Sequence, residues 1–162
     1  AEYAGNHPAG AIGRALILKV SDIMRTGDAL ALVPPTATVM DTALAMTASH
    51  GGSAIVVGKK GELKGIFTDG DFRRVMASTV PSASSRTGAG RGCRRDADST
   101  VLAAPVSSVM TRSPSFVFSD AYAADLLKVF ERKRIDDLPV CDRKGKVVGI
   151  VDLQDLPKMK VL

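Results

Sequence analysis

The stretch Lys60-Gly-Glu-Leu-Lys-Gly-Ile-Phe67 recurs 84 residues later as Lys144-Gly-Lys-Val-Val-Gly-Ile-Val151. Upstream of each copy, Val20-Ser-Asp-Ile-Met24 recurs as Val106-Ser-Ser-Val-Met110, at an offset of 86 residues. Chance rarely preserves such a register across a whole unit. The sequence therefore contains two copies of one folding unit, which we call repeat 1 and repeat 2.

Each repeat predicts the element order β-α-β-β-α, and hence an α+β fold, from short apolar runs that alternate with helical periodicity. In repeat 1, residues 20–77, the expected elements are Leu32–Val33, Thr38–Ser49, Ser53–Val57, Leu63–Thr68 and a helix from near Gly70. In repeat 2, residues 105–162, they are Phe116–Phe118, Ala121–Arg132, Leu138–Cys141, Val147–Asp152 and a helix from near Gln154.

Helix-cap and turn residues separate these elements. Thr36 or Thr38 is the expected N-cap of the first long helix, and Asp120 is the expected N-cap of its counterpart. Gly61 and Gly145 mark hairpin turns between the paired strands. The residues expected to face the sheets lie at helical spacing: Val39, Ala43 and Met46 in one helix, and Leu126, Leu127 and Phe130 in the other.

Composition limits the class of protein. The chain has 162 residues, 45% of them apolar, and a net charge of +5, which suits anionic partners. No apolar run approaches the roughly 18 residues of a membrane helix, so no membrane partner is expected. Cys93 and Cys141 form neither a disulfide framework nor a metal site, and a reducing cytoplasm is the simplest setting. Residues 78–104 are rich in Ser, Gly and Arg and predict a flexible linker.

The repeated segments resemble the CBS domain. The segments that match the family pattern are Gly65-Ile-Phe-Thr-Asp-Gly-Asp71 in repeat 1 and Gly149-Ile-Val-Asp-Leu-Gln-Asp155 in repeat 2. The resemblance implies two CBS units packed as a pseudo-twofold pair. Such packing is also expected because neither repeat alone can bury much core.

A ligand site is expected at the end of the second strand of repeat 1. The resemblance implies a nucleotide-like ligand there, held by Gly65, Ile66, Thr68 and Asp71, with Arg73 and Arg74 adding positive charge. Glycine permits close approach of a ligand to the backbone, and a carboxylate accepts hydrogen bonds from ribose hydroxyls. The alternative is that Thr68 and Asp71 only cap the following helix.

A weaker second site is expected in repeat 2, from Gly149, Asp152 and Asp155. Asp152 stands where the family has Thr or Ser, and a carboxylate at that position would repel a phosphate. We therefore expect one occupied site per chain. His50, at a helix end before two glycines, is expected to serve as a surface or C-cap residue rather than a catalytic one.

The segment His7-Pro-Ala-Gly-Ala-Ile-Gly-Arg14, with Asp22–Asp28 and Phe67–Arg74, is similar to the KpsF/GutQ family of arabinose-5-phosphate isomerases. Members carry a sugar isomerase (SIS) domain before two CBS units. The resemblance implies that residues 1–19 are the tail of that domain and its junction, and that the chain is a piece of a longer protein. His7 would then be a catalytic residue of the parent enzyme alone, because a fragment without the SIS domain is expected to be inactive.

The resemblance implies a regulatory role in forming arabinose 5-phosphate from ribulose 5-phosphate, for synthesis of Kdo and lipopolysaccharide. No cofactor is required, and the candidate regulatory ligands are CMP-Kdo, AMP and ATP. Homodimers through the CBS pair and a tetrameric parent are expected. Two alternatives remain open: a dimerisation scaffold without ligand sensing, and nucleic-acid binding through the four arginines of 86–95. The second is disfavoured because no aromatic residue is interleaved there for base stacking.

Overall fold

A computed structural model describes residues 18–79 and 100–160. They form two compact units. Unit I contains residues 31–79 and 100–114 and is built around repeat 1. Unit II contains residues 18–30 and 115–160 and is built around repeat 2. The α+β class predicted from the sequence is confirmed in both.

Unit I is a four-stranded sheet with helices. Its elements are β1 (Leu32–Val33), α2 (Val39–Ala48), β2 (Ser53–Val57), β3 (Leu63–Thr68), α3 (Asp69–Thr79), a 3-10 turn (Val106–Ser108) and β4 (Thr111–Arg112). The strand order is β1-β2-β3-β4, with β1 parallel to β2 and the other pairs antiparallel. This arrangement places the end of β3 and the start of α3 beside the start of β2.

Unit II repeats this plan with a three-stranded sheet. Its elements are α1 (Val20–Ile23), a 3-10 turn (Gly27–Ala29), β5 (Val117–Phe118), a 3-10 turn (Ala123–Asp125), α4 (Leu126–Lys133), β6 (Asp137–Cys141), β7 (Val147–Asp152) and a final 3-10 segment (Leu153–Lys160). β5 is parallel to β6, and β6 is antiparallel to β7. The position of β4 is taken by Arg25, which bridges to Ile150 as Thr111 pairs with Ile66.

The two repeats exchange their leading segments. Val20–Met24 belongs to repeat 1 in sequence but lies in unit II, where Val20 joins a core with Leu138 and Phe130. Val106–Met110 belongs to repeat 2 but lies in unit I, and Val106 joins its core. Both leading valines are fully buried. The compact units therefore do not coincide with the sequence repeats.

The helices follow the predicted pattern with two corrections. In α2, Val39 and Met46 are buried as expected, but Thr42 rather than Ala43 completes the buried face, because its hydroxyl bonds to the Thr38 carbonyl at 2.8 Å. In α4, the prediction that Leu127 faces the core is wrong, because its side chain is 48% exposed. Leu126 and Phe130, which are one helical turn apart, are buried as expected.

The expected caps differ in outcome. The Thr38 hydroxyl accepts a hydrogen bond from the Asp41 amide at 3.0 Å, which confirms it as the N-cap of α2. Asp120 is not the N-cap of α4, because a 3-10 turn intervenes before that helix begins. Its carboxylate instead accepts a hydrogen bond from Arg143 Nε at 2.9 Å, and this bond lowers the pKa of Asp120.

The hairpin turns are confirmed at equivalent positions, with Gly61 at φ 81° and Gly145 at φ 78°, a region that favours glycine. Cys141 is a buried free thiol, and burial raises its pKa. No helix in the described ranges is long and apolar enough to cross a bilayer. Most of the predicted linker, including Cys93 and the arginines of 86–95, lies outside the described residues.

Candidate functional site

The end of β3 holds Thr68 and Asp71 against each other. The Asp71 carboxylate accepts hydrogen bonds from the Thr68 amide and the Thr68 hydroxyl, both at 2.9 Å, while the Asp71 amide donates to the Thr68 hydroxyl at 3.3 Å. This reciprocal pattern is a capping box at the start of α3. The expected alternative role, helix capping, is therefore a feature of both residues.

Only one oxygen of the Asp71 carboxylate takes part in the cap. Its second oxygen contacts Nη2 of Arg74, whose side chain is 73% exposed and thus free to move. Asp71 itself is 5% exposed. A buried carboxylate held by an exposed arginine can exchange that partner for ligand hydroxyl groups with little rearrangement. Arg73 is also exposed on the same turn of α3.

Ser53 adds a polar group that the sequence did not suggest. It pairs with Thr68 across the β2–β3 ladder, and side chains of such cross-strand pairs share one face of the sheet. Ser53 is 4% exposed, and its buried hydroxyl has no hydrogen-bond partner among the described residues. An unpaired buried hydroxyl is unfavourable, so Ser53 is a polar group that the described part of the protein leaves unsatisfied beside Thr68. The signal that could have revealed it is a serine opening an otherwise apolar strand.

Gly65 is required by the protein itself. A Cβ atom there would lie 2.4 Å from the Met110 sulfur and 2.9 Å from the Thr111 carbonyl oxygen. The close approach expected for a ligand is thus made by the exchanged segment. Ile66 is 6% exposed, between Ile55 and Thr111 in the sheet. Neither residue presents a polar side chain, so the polar groups of the site come from Ser53 and the capping box.

Unit II carries a different arrangement at the equivalent position. Arg25 Nε lies 2.8 Å from Asp155 Oδ2, and Arg25 Nη2 lies 3.1 Å from Asp155 Oδ1. Nη2 also reaches Asp152 Oδ2 at 3.3 Å. The hydrogen bond to Asp155 is the main cause that raises the pKa of Arg25 above its usual value.

These ion pairs of Arg25 offset the negative charge of Asp152 and Asp155 within the candidate second site. The Asp155 side chain is 1% exposed, and Arg25 occupies the position that Thr111 has in unit I. Asp137 pairs with Asp152 in the ladder and stands where unit I has Ser53. Gly149, like Gly65, accommodates a methionine of the exchanged segment, Met24, whose sulfur would lie 2.7 Å from an added Cβ.

Of the two histidines in the sequence, the structure describes His50. His50 is exposed with φ 51° directly after Ser49, the C-cap of α2, which agrees with the expected surface position at the helix end. His7 lies outside the described residues, so its expected role in a parent enzyme stays a prediction. Within residues 18–79 and 100–160, no three His, Cys, Asp or Glu side chains form a group that could hold a metal ion.

Two sheets of one plan, exchanged leading segments and a Thr-x-x-Asp cap after the strand define a CBS pair. The chain belongs to the CBS domain family, whose family model matches residues 20–78 and 106–158. The resemblance drawn from the repeated segments is thereby confirmed.

Among proteins with curated names, the chain is similar to two arabinose 5-phosphate isomerases. It is 32% identical over 160 residues to KdsD of Francisella tularensis, which covers 99% of this chain and 43% of that protein. It is 33% identical over 154 residues to GutQ of Escherichia coli strain K12, which covers 95% of this chain and 42% of that protein. The chain thus spans less than half the length of these relatives.

Among solved structures, the fold is similar to that of CBSX2 in complex with AMP. The TM-score is 0.68 at 20% sequence identity, over 88% of this chain and 96% of that one. At this level of identity the likeness concerns the fold, and it agrees with the family assignment.

Proposed function

We propose that this CBS pair binds a nucleotide or sugar nucleotide through unit I and thereby regulates an attached sugar-phosphate isomerase. The observation that carries the proposal is the buried Asp71 carboxylate, which is bonded to Thr68. Thr68 pairs across the ladder with Ser53, whose hydroxyl has no partner among the described residues. Candidate ligands are AMP, ATP and CMP-Kdo. The structural likeness to a CBS protein in complex with AMP supports a nucleotide.

Each group has a definite chemical task. The ribose hydroxyls donate to the Asp71 carboxylate, which is already aligned by Thr68. The Ser53 hydroxyl gains the partner it lacks. The guanidinium groups of Arg73 and Arg74 are exposed and long enough to meet a phosphate, where charge-assisted hydrogen bonds are strong. Unit II remains the weaker candidate, because Arg25 already pairs with Asp152 and Asp155 there.

The attached enzyme is inferred from the relatives. Both are arabinose 5-phosphate isomerases, and this chain covers 43% and 42% of their lengths. The parent protein is accordingly a cytoplasmic aldose–ketose isomerase that supplies arabinose 5-phosphate for Kdo. The ligand acts by favouring one arrangement of the CBS pair, which changes the activity of the catalytic domain in proportion to its differential affinity.

Calorimetric titration of the chain with AMP, ATP and CMP-Kdo tests ligand binding. We expect at least one of them to bind at one molecule per chain, and Asp71→Asn to weaken that binding by about tenfold or more, since hydrogen bonds to a charged group are lost. Asp69→Asn is the matched control, because Asp69 is an exposed acid on the same turn and should leave affinity unchanged. Absence of binding by the folded chain at millimolar ligand would refute the sensor function.

A second candidate function, a dimerisation scaffold, is favoured by one surface feature. Met40 and Leu44 lie one turn apart on α2 and are 43% and 60% exposed. Large apolar side chains paired on an outward helix face commonly mark a protein interface. A second copy of this chain is the proposed occupant, which fits the expected homodimer and a tetrameric parent.

Light scattering after size-exclusion chromatography tests the scaffold. The unmodified chain should have the mass of a dimer, and Met40→Glu with Leu44→Glu should reduce it to that of a monomer, because two charges would be buried without partners. Leu127→Glu, at a half-exposed leucine on α4 of unit II, is the control. If the double variant keeps the dimer mass, α2 is not the interface. An Asp71→Ala variant that loses ligand but stays dimeric would separate sensing from assembly.

A further inference from the structure

A cavity of about 670 Å³ opens at the hairpin end of unit I, at the opposite end of β3 from Thr68. Leu32, Pro34 and Pro35 line it with apolar surface, and the β2–β3 hairpin supplies Lys59, Lys60 and Lys64. Its volume lies within the range of small-molecule pockets, roughly 300–1,000 Å³. None of the lining residues belongs to the Gly65–Asp71 segment that carries the candidate nucleotide site.

The charge of this cavity is unbalanced. Glu62, its one acidic lining residue, lies 3.3 Å from Lys64 and accepts a hydrogen bond from the Lys60 amide at 3.0 Å. Glu62 and Lys64 therefore offset each other. Lys59 and Lys60 have no acidic partner within the described part of the chain, so two ammonium groups border an apolar wall without a counter-charge.

In unit II, the cation at the equivalent position is held by two neighbouring side chains. Arg143, the counterpart of Lys59, lies 4.3 Å above the Phe118 ring and donates a hydrogen bond to Asp120 at 2.9 Å. Unit I has Pro34 in place of Phe118 and Thr36 in place of Asp120, at the constant offset of 84 residues. The aromatic platform and the carboxylate that hold the cation in unit II are thus both absent in unit I, and a cavity lies there instead.

We propose that this cavity is a second ligand site, separate from the nucleotide site, for a small organic anion. Its apolar body packs on Leu32 and the two prolines, and its phosphate or carboxylate takes the place that the Asp120 carboxylate has in unit II. Lys59 and Lys60 supply the counter-charge. The leucine is 46% exposed without a ligand, which is consistent with a surface that an apolar group would cover.

Phenyl phosphate is a suitable probe, because it joins an apolar ring to a phosphate. Titrated into the ¹⁵N-labelled chain, it should cause saturable shifts of the amides of Val33, Lys59 and Lys60 and leave that of Asp71 unchanged. Phenol and inorganic phosphate, each offering half of the interaction, should bind at least about fivefold more weakly.

Two variants test the charge argument. Thr36→Asp copies the carboxylate of unit II beside Lys59 and should weaken phenyl phosphate binding about fivefold. Lys59→Gln with Lys60→Gln should weaken it about tenfold. The matched control, Lys144→Gln with Lys146→Gln, removes the same charge from the hairpin of unit II and should change nothing. Equal binding of phenol and phenyl phosphate, equal losses in both lysine pairs, or the absence of saturable shifts in the folded chain would overturn the proposal.

Discussion

Replacing Arg25 by alanine is expected to lower the free energy of unfolding by about 3–5 kcal/mol. Its guanidinium makes two bonds to Asp155, whose side chain is 1% exposed, and a third to Asp152. Without it, unit II would keep a buried carboxylate beside a second acid and would lose the guanidinium group that offsets both. Removal of one partner from a buried pair is destabilising for that reason, whatever the net value of the pair.

Urea denaturation followed by circular dichroism measures this effect. Arg143→Ala is the control, because its pair with Asp120 is exposed, and such pairs contribute up to about 1 kcal/mol. A double-mutant cycle of Arg25→Ala and Asp155→Ala should give a coupling of about 1–3 kcal/mol. If Arg25→Ala lowers the free energy of unfolding no more than Arg143→Ala does, the ion pairs of Arg25 do not stabilise unit II.

Gly65→Ala should destabilise unit I by about 2–3 kcal/mol. The added methyl group would meet the Met110 sulfur at 2.4 Å and the Thr111 carbonyl oxygen at 2.9 Å. The methionine side chain could move, but the carbonyl belongs to β4 and is fixed by its pairing with β3. The substitution therefore separates the exchanged segment from the sheet.

The same urea experiment compares two glycines. Gly70→Ala, where the nearest atom to an added Cβ is 3.5 Å away in a helical turn, should be neutral or stabilising by up to about 1 kcal/mol. Gly149→Ala should cost as much as Gly65→Ala, because Met24 and the Arg25 carbonyl approach it in the same way. Unchanged stability of both Gly65→Ala and Gly149→Ala would show that the exchanged segments tolerate a shift.

The regular elements could be predicted because they depend on local pattern. The Ser53–Val57 and Leu63–Thr68 strands, the turn at Gly61 and the cap at Thr38 all follow from neighbouring residues. The exchange of leading segments could not, because the 86-residue offset shows that Val20–Met24 is repeated but not which sheet it joins. The N-cap expected at Asp120 was wrong because the 3-10 turn Ala123–Asp125 precedes α4, and helical spacing does not distinguish that turn from the helix.

The candidate site was likewise predictable where it depends on neighbouring residues and not where it depends on residues distant in sequence. Thr68 and Asp71 were identified from their spacing, and the structure brings them together. The sequence also ranked Asp152 and Asp155 second, because one acid stands in the place of a hydroxyl. It gave no sign of Arg25, which lies 127 and 130 residues from these two acids. The role of Ser53 needed the strand register.

A ¹⁵N-resolved NMR titration with AMP examines most directly whether unit I is the sensor. We expect the amides of Ser53, Thr68 and Asp71 to shift together and saturate, with Asp152 and Asp155 unaffected. Shifts concentrated at Asp152 and Asp155, or a folded chain whose Thr68 and Asp71 amides do not respond, would contradict the assignment of the nucleotide site to unit I.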